Sequence, residues 1–123
     1  MATLNDRVYD NGLTVLSTEA DKIFITSQEA TTYTEANATY ALGDSTSLSI
    51  GAPQDRTGGG REVVVAAIID GSVTATGTAT HYAIVDTVNS RLLATGSLTA
   101  SQAVTSGNSF TLSSVAIGIP DPA

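Results

Sequence analysis

Residues 61–70, REVVVAAIID, carry apolar side chains on both alternating faces. Arg61, Val63, Val65, Ala67 and Ile69 share one parity, and Glu62, Val64, Ala66, Ile68 and Asp70 share the other, because successive strand side chains point to opposite sides. The block predicts a strand whose two faces are buried within one chain or between chains. Asp70-Gly71 reads as a hairpin turn. SVTATG returns from it and ATHYAIVDT follows; Asn89-Ser90 turns into RLLATGSL, and Gly107-Asn108 turns into SFTLSSVAIGI. In that last run Phe110 and Leu112 share one parity, while Val115, Ile117 and Ile119 share the other. The phase change at Ser113-Ser114 predicts a β-bulge or a corner, and Pro120 stops the strand.

The first half is less regular. Thr3 with Asp6 resembles a capping box, and Leu4, Val8 and Tyr9 follow at helical spacing. The pattern predicts a helix or turn over about residues 3–16, with Gly12 as a candidate break. That segment either packs on its own domain or reaches as an arm to a neighbouring subunit. DKIFITS (21–27) is a strand signal. In TTYTEANATYALG (31–43), Tyr33, Ala36, Tyr40 and Ala41 recur at helical spacing, with Gly43 as a candidate C-terminal cap. The alternative there is a loop with one or two turns. SLSIG (47–51) reads as a short strand and APQDRTGGGR (52–61) as a loop. The whole predicts one mainly β domain over 1–123, an antiparallel β-sandwich or jelly roll with a short N-terminal helical segment. Its parts are a helix or arm over 1–20, the sandwich over 21–119 and a tail over 120–123.

Composition narrows the function. The 123 residues hold no cysteine, so disulfides and thiolate metal sites are excluded. Residues 1–10 contain Asp6, Arg7 and Asp10 and no apolar run, unlike a signal peptide. No apolar run approaches the roughly 18 residues of a membrane span. The net charge is −7 and the basic residues Arg7, Lys22, Arg56, Arg61 and Arg91 are scattered, whereas phosphate binding needs them clustered. Neither nucleic acid nor membrane is therefore expected as a partner. Charged residues make up 14% of the chain, below the roughly 25% of ordinary soluble domains. A surface of Ser, Thr, Ala and Gly repels other proteins little and hints at packing against partners.

The search for chemistry turns on the single histidine. On a strand, His81 faces the same way as Ala79, Ala83 and Val85, and Asp86 faces the other way with Thr80, Tyr82 and Ile84. His81 and Asp86 cannot form a dyad within one strand, since a dyad needs contact at roughly 3 Å. Pairing with a carboxylate from elsewhere, such as Glu62, is the catalytic alternative; an imidazole hydrogen-bonded in or at the rim of the sandwich is the structural one. No G-x-S-x-G or H-E-x-x-H motif occurs. Glu19, Glu29, Glu35 and Glu62 sit in polar stretches, where solvated carboxylates are usual. Gly58–Gly60 precede Arg61 and a strand-like run rather than Lys-Ser/Thr and a helix, so a flexible loop, with an exposed contact loop as its variant, is favoured over a phosphate cradle. Asp10-Asn11-Gly12 is only a fragment of a calcium loop. Asn37-Ala38-Thr39 matches a glycosylation sequon, which carries little weight without a secretion signal. Tyr33 and Tyr40 read as core or interface residues, not a sugar platform. The expectation is a protein that is not an enzyme and needs no cofactor or metal. A small glycan hydrolase is the enzyme alternative; it would lose activity on His81→Ala or Glu62→Gln.

Two stretches carry a resemblance. LNDRVYDNGLTVLSTEADKIFITSQEATTYTEA and GTATHYAIVDTVNSRLLATGSLTASQAVTSGNSFTLSSVAIGIPD resemble small proteins encoded among the structural genes of tailed bacteriophages and prophages. In those proteins a "tha-i-D" strand is followed by "LLatg-L", then "aV-sGn", then an alternating last strand. The second half is also similar, more distantly, to phage tail-fibre or minor tail components. The resemblance implies a virion structural protein without enzymatic activity, and it carries over no site residue. The expected role is a head decoration or cement protein binding the major capsid protein or other virion proteins, as a homo-oligomer, trimer or dimer. The alternative is a tail-fibre, neck or baseplate component touching tail proteins or the host surface. The expected contacts lie in irregular or terminal segments: Leu4, Val8, Gly58, Gly59, Gly60, Arg61, Ile119 and Pro120.

Overall fold

The structure, a computed structural model, describes residues 5–120. It is mainly β, with antiparallel sheets and one N-terminal helix. The chain divides into two compact units. Among the described residues, one gathers 5–19, 49–67 and 113–120, and the other 20–48 and 68–112.

In the first unit the helix α1, Asp6–Glu19, runs unbroken through Gly12. Thr3 lies outside the described residues. The Asn5 side-chain amide oxygen accepts the Arg7 N–H at 2.9 Å, which satisfies one of the open donors at the helix start. Tyr9, Leu13 and Leu16 are buried at helical spacing, and α1 packs against β4, Arg61–Val65. This sheet has the order β3-β4-β9, with β3 Gln54–Asp55 and β9 Val115–Ile119. Val63 and Val65 are its buried residues on β4. SLSIG does not form the expected strand. Only Ile50 makes a bridge, to Val65.

The second unit is a sheet of order β7-β6-β1-β2-β5-β8. Its strands are β1 Lys22–Thr26, β2 Ala41–Ser45, β5 Ile68–Val73, β6 Gly77–Asp86, β7 Arg91–Val104 and β8 Ser109–Leu112. Strands β7 and β8 are consecutive in the chain yet stand at opposite ends of that order. The short turn between them curls the sheet, and the Gln102 side-chain amide reaches across from β7 to donate to the Thr111 carbonyl of β8 at 2.9 Å. One face of the curled sheet holds Ile23 opposite Ile84 and Ile25 opposite Tyr82. On the other face Phe24 and Ala83 meet Ala30 and Ala36 from the segment between β1 and β2, with Tyr33, Tyr40 and Leu92 packed around them. That segment contains a π-helical turn, Glu35–Thr39. Tyr33 and Tyr40 thus pack on the core.

Three sequence expectations are corrected here. Gly43 is not a helix cap but lies inside β2, where a side chain would run into the Ser72 carbonyl and press on the Phe110 ring. Residues 61–70 are not one strand; the run breaks after Val65 and resumes at Ile68. Asp70-Gly71 is not a hairpin turn but part of β5, at a register shift against β8 between Ile68 and Gly71. The extra residue of such a bulge leaves Ile69 pointing to solvent, 78% exposed. The phase change at Ser113-Ser114 is the expected corner, where the chain leaves β8 of one sheet for β9 of the other.

Candidate interaction surface

Arg61 organises the irregular part of the first unit. Its guanidinium grips Asp10 of α1 with two hydrogen bonds, Nε to Oδ1 at 3.0 Å and Nη2 to Oδ2 at 3.3 Å. It also donates to Asp55 Oδ1 at 2.7 Å and to the Pro53 carbonyl at 3.3 Å. A planar fork suits this bidentate grip, which a lysine cannot reproduce. Arg61 therefore ties the helix to the β3–β4 hairpin.

The hairpin loop is built, not slack. Gly58, Gly59 and Gly60 have φ of 91°, 105° and 90°, values that L side chains rarely adopt. The Gly59 N–H donates to the Arg56 carbonyl, the Arg56 N–H donates to the Gly60 carbonyl, and Arg56 Nη1 donates to the Gly59 carbonyl, each at 3.1 Å. These groups are occupied within the loop, not arrayed as an anion cradle. A side chain on Gly60 would run into the Ile119 carbonyl and the backbone of Pro120.

The structure thus brings Gly60, Ile119 and Pro120 into contact and places Arg61 beside them, opposite Ile119 in the β4–β9 ladder. Gly58 and Pro120 are exposed; Gly59, Gly60, Arg61 and Ile119 are half-buried. Leu4 and the side chain of Val8 lie outside what is described. Sequence reasoning missed Asp10 and Asp55, the partners of Arg61, because they are distant from it or on a separate strand. It also missed Ala116 and Gly118, two exposed small residues on β9.

His81 lies in the second unit, opposite Thr26 and Ser97. The Thr80 hydroxyl donates to the Ser27 carbonyl at 3.0 Å and meets His81 Nδ1 at 2.8 Å. Asp86 caps the turn between β6 and β7, accepting the N–H groups of Val88 and Asn89 and the Asn89 side-chain amide at 3.1, 3.3 and 2.8 Å. The Asn89 amide, with those N–H groups and the Arg91 charge, holds its carboxyl below the usual carboxylate value against the opposing effect of burial. Asp21 braces the same turn by accepting the Thr87 N–H and hydroxyl at 3.0 and 2.6 Å. Glu35 accepts the N–H and hydroxyl of Thr31 and is held below its usual value by them. Glu62 accepts from the Gln54 amide at 3.2 Å. Each of these groups has a local structural partner. No family model, curated protein or solved structure matches the chain.

Proposed function

We propose that the protein is a non-enzymatic virion structural protein of a tailed bacteriophage, a decoration or cement protein on the outer head surface. The observation that carries this reading is the order GTATHYAIVD, RLLATGSL, VTSGNSFTL. In the fold these runs are β6, the first half of β7 and the turn into β8, so the resemblance follows a continuous piece of architecture. Two further features support it. The titratable side chains around His81, Asp86 and Arg61 serve turns, caps and the hairpin. A surface poor in charge and rich in Ser and Thr suits broad contact with other proteins. A cement protein gains strength from many copies held at once, so contacts that are weak singly suffice.

The test is quantitative mass spectrometry of purified virions after heads and tails are separated. Copies in the hundreds in the head fraction are expected, and particles lacking the protein should release DNA at a lower temperature. A few copies in the tail fraction would replace this reading with a tail component. Absence from both fractions would overturn the virion role.

A further inference from the structure

We propose that the protein self-associates through the open edge of β9, with the same strand of a second copy adding antiparallel about a two-fold axis at Ile117. The two three-stranded sheets then become one continuous sheet.

The direction of the main chain carries the argument. On its β3 side, β4 uses the Val64 carbonyl to accept the Gly51 N–H at 3.0 Å. In an antiparallel ladder, residue pairs alternate between those that exchange hydrogen bonds and those that face away. Val64 and its partner Ala116 are therefore a pair that faces away, and so are Glu62 and Gly118. The close approach of Gly60 to the Ile119 carbonyl agrees, since it places that carbonyl on the β4 side. Ala116 and Gly118 consequently aim their N–H and C=O groups at the outer edge of β9, which pairs with no other strand among the described residues. They are exposed and carry the smallest side chains of the strand; the Arg56 side chain lies over the face of Gly118, and the edge itself stays accessible to an incoming backbone.

This edge is self-complementary. With Ile117 opposite its own copy, Ala116 falls opposite Gly118 of the second copy and Gly118 opposite Ala116. Each such pair exchanges a reciprocal set of hydrogen bonds. Ile117 then forms the pair that does not exchange bonds, with Cα atoms about 4.5 Å apart. Its half-buried side chain joins a row with Val63, which is fully buried, and the row continues into the copy. The neighbouring registers fit less well. Moving the axis to Gly118 sets Ala116 against Pro120, which has no N–H; moving it to Ala116 sets Gly118 against Ser114, outside the strand. The strand VAIGI has no charged residue, internal proline or bulge, the devices that normally guard an edge against pairing. The occupant that matches this register is the chain itself, which makes the interface isologous.

The test uses the full chain, which has no cysteine of its own. Sedimentation equilibrium should show a concentration-dependent dimer. Ala116→Pro removes an N–H from the open side only and should weaken dimerisation at least tenfold with an unchanged far-UV spectrum. Under mild oxidation Ile117→Cys should form an interchain disulfide at least ten times faster than Val115→Cys, because position 117 alone meets its own copy within disulfide reach. If Ala116→Pro does not fold, the cysteine pair decides. A chain that stays monomeric up to about millimolar concentration (Kd weaker than about 1 mM) overturns the proposal. So does a dimer that crosslinks no faster at 117 than at 115, which would mean a different surface.

Discussion

Phe110 shows what a single residue does here. Its ring lies over Gly71 of β5 and within reach of Gly43 of β2, where a built Cβ would stand 3.1 Å from the ring and 2.5 Å from the Ser72 carbonyl. Tyr82 covers Gly96 in the same way, with its hydroxyl 2.5 Å from the missing Cβ position. Aromatic rings laid on strand glycines restore the packing that glycine lacks. Gly71→Ala should therefore destabilise by about 1–3 kcal/mol, the usual cost of forcing atoms into a filled core, seen as a lower urea midpoint. Gly12 is the opposite case. It sits mid-helix with an ordinary negative φ, and a Cβ there would meet Ile119 Cδ1 at 3.7 Å, a normal contact. Gly12→Ala should stabilise by about 0.5–1 kcal/mol, and an unchanged or lower melting temperature would refute this. The sequence marked both glycines as interruptions. Only the neighbours distinguish a glycine that is required from one that is tolerated.

Among the elements, the turn joining β6 and β7 is the most heavily bonded. Asp86 and Asp21 hold it from both sides, and Ser90 completes it at φ 54°. The folded chain keeps the Asp86 carboxyl below its usual pKa, so the unfolded chain binds the extra proton first. The stabilisation is complete above the ordinary carboxylate range and is lost as pH falls through the folded value. Glu35 acts in the same direction. Asp86→Asn should lower the urea midpoint near pH 7 and flatten the loss of stability between about pH 5 and 3. An acid limb as steep as that of the parent protein would contradict this. Most of β6 and of this turn was legible from β-branched residues and Asn89-Ser90. The Asp70-Gly71 turn was misread because a turn dipeptide also fits a bulge, and the pairing of β5 with β8 decided between them.

At the scale of the whole molecule, the chain crosses repeatedly between two compact units. Neither unit is a continuous segment. The β4–β9 ladder joins Arg61 to Ile119, and β5 reaches β2 and β8. Such distant pairings must close long loops before any contact repays the lost chain entropy. Refolding should therefore take milliseconds to seconds, as for other non-local β proteins; a microsecond phase that recovers all of the native signal in stopped-flow and temperature-jump experiments would refute this. The net charge of −7 adds a mutual repulsion between copies that salt screens, so the β9 dimer should tighten as ionic strength rises.

The sequence by itself determined the class of the molecule: β-branched alternation made strands, the residues of α1 made a helix, and Pro120 and Gly107-Asn108 set ends and turns. These are local matters of sterics and periodicity. The tertiary structure alone decided which strands are neighbours, that the turn from β7 to β8 curls a sheet, that Arg61 reaches back to Asp10, and that Ala116 and Gly118 face an edge unpaired among the described residues. Those depend on pairings between distant residues, and a hydrogen-bond ladder leaves no periodic mark in the sequence to say which partner it chose.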